Sequence, residues 1–267
     1  MHSRLLAVPL MLSLGVAACG GGDAPPASAP GTAEPAATAP ATTVDPATAA
    51  TVAGKISLEG TPPANAPIRM NADPACVAAN KGQNPTQETF VSEAGGLGNV
   101  FVYVQSGLTG TFPAPTTALT FDQQGCRYIP HVFGVQVGQP IEIVNSDATL
   151  HNIHATPKTN REFNTAQPIK GMKTTHTFTE KEADVVVPFK CDVHGWMNAY
   201  AGVLDHPYFA VTKPDGSFSI PNLPPGSYTL AAWHERLGTQ TLPVTVAAKE
   251  SKSDANFTFK AAAASGN

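Results

Sequence analysis

The sequence predicts an all-β protein, built from two sandwich modules behind a disordered N-terminal tether. Three observations lead there. Charged residues make up only 13% of the 267, aromatics only 7%, and Gly (23) and Pro (25) are frequent, a balance that suits a strand-rich secreted chain better than a helical one. From residue 51 onward, short apolar runs alternate with Gly, Pro, Asn and Asp turn signals. Before that, residues 20–50 are Gly, Ala, Pro and Thr with three acids, and Val44 is their only large apolar side chain, so this stretch cannot bury a core. The net charge of −4 and a pI near 6.0, with no basic stripe, argue against a nucleic-acid partner.

The N-terminus reads as a targeting segment. Arg4 supplies the positive region, and Leu5–Ala18 is an apolar run of 14 residues, too short to span a bilayer. It ends in Val16-Ala17-Ala18-Cys19, which resembles a bacterial lipobox. The resemblance implies a signal peptide at 1–18, a diacylated Cys19 as mature N-terminus, and a tether at 19–50 on a membrane surface. Gly20 in place of Asp would direct the protein to the outer membrane of a two-membrane envelope. The alternative is an ordinary signal peptide with a chance cysteine.

Residues 51–95 open the folded part. Val52–Leu58 alternates as a strand, Ile68–Met70 offers a second, and Phe90-Val91 is strand-like. Val100–Val104 is a strong strand, followed by Leu119–Phe121, Val132–Val137 and Ile141–Val144. Asn145 and Asp147 end the last of these and read as turn chemistry. Residues 155–174 form a loop in which Met172 is a packing or surface residue; Thr175–Thr179, Val185–Lys190 and Ala201–Leu204 complete the region.

There are four cysteines. Cys76 and Cys126 are assigned to a disulfide, because an exported chain occupies a compartment that permits one. The bridge would close a loop of about 50 residues, worth roughly 4 kcal/mol. Two free thiols, or a second metal site with His131, are the alternatives.

The richest stretch is Cys191-Asp-Val-His194-Gly-Trp-Met197. Thiolate, imidazole and thioether recur at gaps of three. On a strand such positions face opposite ways, so convergence needs a tight loop, which Gly195 would permit. This soft set of sulfur and nitrogen donors suits copper. One imidazole from the upstream His151-Asn-Ile-His154 would complete a site of two histidines and one cysteine with a weak axial Met.

Together the two motifs resemble the cupredoxins, and within them the amicyanin type, over about residues 96–205. The resemblance implies a Greek-key β-sandwich holding one type 1 copper on His151, Cys191, His194 and Met197, and one-electron transfer as its function. It further implies a solvent-facing edge of His194 as electron exit, a docking rim around Trp196, and a redox partner such as a cytochrome or copper enzyme. Gly195 departs from the Pro common in that family. Oxidase-type multicopper sites need His-x-His pairs and His-Cys-His, and neither occurs, which argues against an enzyme. The rival reading is a cell-surface scaffold or copper-storage lipoprotein of the periplasm or outer membrane.

Residues 206–267 change character. Asp215-Gly-Ser-Phe218 and Leu223-Pro-Pro-Gly-Ser-Tyr228 resemble the carboxypeptidase regulatory-like β-sandwich, a non-catalytic module. That family opens with a Val-x-Gly strand, and Val52-Ala-Gly54 supplies one, so the module is expected to be discontinuous, with the cupredoxin-like part inserted or fused edge to edge. His206 and His234 read as ordinary, partly exposed histidines.

Overall fold

A computed structural model describes residues 44–182 and 184–261. The signal peptide, Cys19 and most of the proposed tether lie outside the described residues. Among those described, no helix is long and apolar enough to cross a membrane. The tether expected through residue 50 ends earlier: a turn spans 46–48, Val44 packs on the core, and Ala50 is buried at the start of a strand.

The described residues form seventeen strands and one short helix. β1 (Ala50–Glu59) is the centre of the first sheet. It pairs antiparallel with β13 (Ser217–Leu223) and parallel with β16 (Ser251–Lys252) and β17 (Phe257–Lys260). The facing sheet runs β12 (Phe209–Val211), β2 (Phe101–Ser106), β14 (Gly226–His234), β15 (Gly238–Val246). Val52, Ile56, Phe218 and Phe259 from one sheet and Val102, Val104, Leu230 and Val244 from the other fill a common core. This terminal sandwich therefore takes strands from both ends of the described chain.

The second sandwich occupies the middle. One sheet runs β5 (Val132–Gln136), β11 (Asn198–Leu204), β10 (Val186–Lys190), β7 (His151–Ala155), β8 (Phe163–Gln167); the other runs β4 (Tyr128–Ile129), β3 (Leu119–Gln123), β6 (Ile141–Asn145), β9 (Lys173–His176). β6 shows how sequence makes sheet: Ile141, Ile143 and Asn145 point inward and are buried, while Glu142 and Val144 between them are half-exposed. Phe121, Phe133 and Phe189 pack together at the centre, with ring centroids 4.9–5.8 Å apart.

Several sequence expectations need correction here: the loop expected over 155–174 contains β8, and Phe90-Val91 is no strand. The 96–205 segment expected to form one module includes residues 101–106, yet β2 pairs with β12 and β14 of the terminal sandwich. Its run of buried residues is explained by burial on both faces. Val102 and Val104 face the terminal core, and Phe101 and Tyr103 face a third cluster, with Val132, Leu204 and Ala231, that joins the two sandwiches. Ile68–Met70 is no strand; it belongs to the connection between β1 and β2, whose only helix is α1 (Pro74–Ala79), capped by Asp73.

The joint between sandwiches depends on two glycines. A Cβ on Gly202 would lie 2.2 Å from the Phe101 ring, and one on Gly134 would lie 2.3 Å from the Phe209 ring. Both rings lie against bare backbone, an approach that no larger residue permits.

Candidate metal centre

β10 and β11 form a hairpin whose last pair is Lys190 with Asn198. Residues 191–197 are its loop. Cys191 and Met197 therefore occupy its two ends, and Cys191 N–H donates to the Met197 carbonyl at 3.1 Å. Inside it, Met197 N–H donates to the His194 carbonyl at 2.9 Å, and His194 N–H donates to Cys191 Sγ at 3.4 Å. These bonds turn the three side chains inward. Gly195 has no left-handed φ, and a Cβ there would meet open space, so the tight loop forms without calling on glycine's special freedom.

The fourth residue, His151, heads β7 beside β10. His151, Cys191 and His194 are all buried, and their nearest ligating atoms lie within 4.8 Å of one another. The two Nδ1 atoms face each other at 3.0 Å, and Cys191 Sγ lies 3.9 Å from His194 Nδ1. Met197 is buried in the same apolar cluster as Cys191. Asn152 clasps the thiol end, accepting from Asp192 N–H at 2.7 Å and Cys191 Sγ at 3.2 Å. His154, the alternative imidazole, is pulled away to Asp192 and Glu162, 2.8 Å from each.

Two residues not recognised as part of the centre complete it. Asp147 is buried, and its Oδ2 accepts from His151 Nε2 at 3.0 Å and from Cys126 N–H at 2.7 Å. Its other oxygen accepts from Gly125 N–H at 2.9 Å. Turn chemistry alone therefore understates it; a histidine four positions on was the available signal. Asp73 accepts from His194 Nε2 at 2.9 Å across a sequence gap of 121. Its Asp-Pro context signals only a helix start. The expected solvent-facing edge of His194 is thus absent: Asp73 and the α1 segment cover it, and His194 is buried.

A disulfide joins Cys76 and Cys126, each fully buried. His131, an alternative partner for these cysteines, instead pairs with Glu235 at 2.6 Å. The Cys76 sulfur lies 3.7 Å from His194 Nε2. Two further groups of metal-binding residue types border the site, Asp73–Cys76–His194 and Cys126–Asp147–His151. Each depends on a sulfur engaged in this disulfide, leaving Cys191 as the free thiol of the centre.

The electrostatics favour an anionic pocket. Burial opposes ionisation of Asp147, but hydrogen bonds from His151 and the Cys126 and Gly125 amides outweigh it and hold the carboxyl below its usual range. The Thr149 hydroxyl, 2.7 Å from Asp73, leads the lowering of that carboxyl to about 2, against some burial and with help from His194. Burial would depress the His151 imidazole, yet Asp147 and Cys191 push it up to about 9. Burial likewise opposes a Cys191 thiolate, and hydrogen bonds with His151 and nearby amides still lower the thiol. With each Nε2 against a carboxylate, the two Nδ1 atoms face one another beside the thiol, and on losing their protons to a cation both would offer it a lone pair. A cation would satisfy that arrangement, and a soft set of two imidazole nitrogens and one sulfur fits copper.

His206 and His234 are remote from this point, and the expectation of partial exposure is corrected. Both are buried, with Nε2–H on a backbone carbonyl (Val104 and Thr89) and Nδ1 accepting a backbone N–H (Tyr208 and Arg236).

Comparison with known proteins gives partial matches. The family described as polysaccharide lyase family 4, domain II matches residues 179–254. No curated protein matches the chain in sequence. Among solved structures, the chain is similar to a Cu-containing nitrite reductase from Thermus scotoductus, with 22% identity, 38% of this chain and 25% of that one covered, and TM-score 0.30. It thus spans about a quarter of that enzyme's length. A purple cupredoxin from Nitrosopumilus maritimus matches at 21% identity over 32% of this chain and 98% of its own, TM-score 0.27. A Cu(I) form of an amicyanin variant matches at 23% over 38% and 97%, TM-score 0.29.

Proposed function

We propose that this protein is a one-electron carrier of the bacterial cell envelope, anchored through Cys19, in which His151 Nδ1, His194 Nδ1, Cys191 Sγ and Met197 hold a single copper ion. The observation that carries the reading is the convergence of two imidazole Nδ1 atoms and a buried thiol within 4.8 Å of one another. Copper bound there supplies a one-electron couple, tuned by the weak thioether. The protein's part is rigidity: the 191–197 hairpin, the Asn152 clasp and the two carboxylates hold both imidazoles and the thiol in place. His-x-His and His-Cys-His sequences are missing, which supports a carrier with no catalytic site of its own.

A carrier needs a docking face. Leu150, Val193 and Val77 are 42%, 48% and 48% exposed, and they neighbour His151, His194 and Cys76 in sequence. The Trp196 ring packs on His194 with centroids 4.9 Å apart. We assign these exposed apolar side chains to the small, transient contact of a redox partner such as a cytochrome or a copper enzyme.

The test is a copper titration of the full chain carrying Cys19→Ser, followed by visible absorption and EPR. An intense visible band saturating at one equivalent, lost in Cys191→Ser and bleached reversibly by reductant, is the expected result. A colourless adduct, or one indifferent to Cys191→Ser, would refute the carrier and favour a storage or scaffold role.

A further inference from the structure

The two imidazoles of the centre are held alike at their outer nitrogens, but from different parts of the chain. Asp147 belongs to the turn just before His151. Asp73 belongs to the connection between β1 and β2, so the terminal sandwich's own chain reaches over to close the other sandwich's site. Its placement is over-determined. Oδ1 accepts from the Ala75 and Cys76 amides at 2.8 and 3.3 Å, while Oδ2 accepts from the Thr149 hydroxyl at 2.7 Å and from His194 Nε2 at 2.9 Å. Cys76, three residues on, is bonded to Cys126, whose amide is held by Asp147. The disulfide thus ties together the two carboxylate anchors.

We infer that Asp73 is a positioning residue for the metal centre: it fixes His194 as its Nε2–H tautomer, directs the Nδ1 lone pair at the metal, and places a negative charge behind that ligand that favours the oxidised ion. Three physical consequences follow. A carboxylate accepting the outer N–H of a ligand imidazole makes that imidazole a stronger donor, and losing such a partner costs about 10–100-fold in metal affinity. The stronger donor and the added negative charge both stabilise Cu(II) more than Cu(I), so the couple is shifted toward reducing potentials. The outer face of His194 is closed to solvent, so electrons reach a partner by way of neighbouring side chains, with Trp196 packed on the same ring. The electronic part rests on the copper reading above; the tautomer part stands without it.

The experiment compares the full chain with its Asp73→Asn variant. Asn caps helices about as well as Asp, so α1 keeps its N-cap. Its amide nitrogen cannot accept from His194 Nε2–H if its oxygen stays on the α1 amides. In the metal-free protein, long-range ¹H–¹⁵N NMR reads the His194 tautomer: Nε2–H in the wild type, shifted toward Nδ1–H in Asp73→Asn. In the copper-loaded protein, voltammetry should show a rise in reduction potential equivalent to about a tenfold change in the Cu(I)/Cu(II) ratio, or about 59 mV for one electron, with the visible band retained. An unmoved tautomer, or a shifted tautomer with an unmoved potential, would overturn the inference. A wild type without a visible band would sink the carrier reading, and the metal-free spectra would still decide whether Asp73 sets the tautomer.

Discussion

Replacing both half-cystines by alanine tests how far the 76–126 bridge holds the site together. The two residues are 50 apart in sequence, so the bond closes a long loop in the unfolded chain. The chain-entropy relation for 50 residues gives about 14 cal/mol/K, or about 4 kcal/mol at 25 °C. Alanine is the right substitute because both sulfurs are fully buried; serine would add hydroxyls without partners, each costing about 1–3 kcal/mol more. With a urea m-value near 3 kcal/mol/M, the unfolding midpoint should fall by about 1.4 M. Tryptophan fluorescence is the assay, because Trp196 donates to the Cys126 carbonyl at 3.0 Å while Trp233 packs at the joint between sandwiches. The wild type in excess dithiol reductant should behave like the variant. A loss below about 1 kcal/mol would refute the reasoning, since the unfolded chain would then gain little freedom when the loop opens.

The two glycine environments predict opposite outcomes. Gly202→Ala drives a methyl into the Phe101 ring and should cost about 1–3 kcal/mol in chemical denaturation, whereas Gly195→Ala, in open space, should leave both stability and metal binding within about 0.5 kcal/mol of wild type; equal effects at the two sites would contradict the packing described. Acid should destabilise the fold through His206 and His234. Burial lowers both imidazoles below their usual value, and each neutral ring already uses both nitrogens. Their contribution is complete above the unfolded value near 6.5 and is lost as pH falls below it, at up to about 1.4 kcal/mol per pH unit for each. His151 and His154, shifted upward, add stability as pH falls toward 6.5 and change little below it, so the comparison that decides is pH 6.5 against 5.5. Urea midpoints at pH 7.5, 6.5 and 5.5 check this, and a flat profile between pH 6.5 and 5.5 would exclude it.

What the sequence made legible follows from which signals are local. Cys191, His194 and Met197 stood out because rare residue types recur at one gap, and the hairpin pairing of Lys190 with Asn198 is what turns that gap into convergence. Asp73 left no comparable trace. Its meaning depends on a contact across 121 residues, and Asp before Pro is fully explained by helix capping. The strand at 101–106 was visible, but its sheet was not. A strand buried on both faces carries no alternation to say which neighbour it serves. The buried histidines misled for the opposite reason. His206 lies between Asp205 and Pro207, a surface-like context, and only the backbone groups of Val104 and Tyr208 make its burial tolerable.

The route of the chain between the sandwiches makes the molecule unequally divisible. β2 and β12 are antiparallel neighbours, with Tyr103 opposite Phe209 and Val104 N–H on the Tyr208 carbonyl. For the terminal sandwich, residues 107–207 amount to one oversized hairpin loop, with Leu108 and Phe112 packed back on its core. A short turn could replace them and leave every strand of that sandwich in register. The reverse excision fails, because a fragment cut at those points would leave behind Asp73 and Cys76, and with them the cover over His194. The middle sandwich is therefore a tenant that cannot move out whole, and without the 60–99 connection the outer nitrogen of His194 would lose Asp73 and its cover.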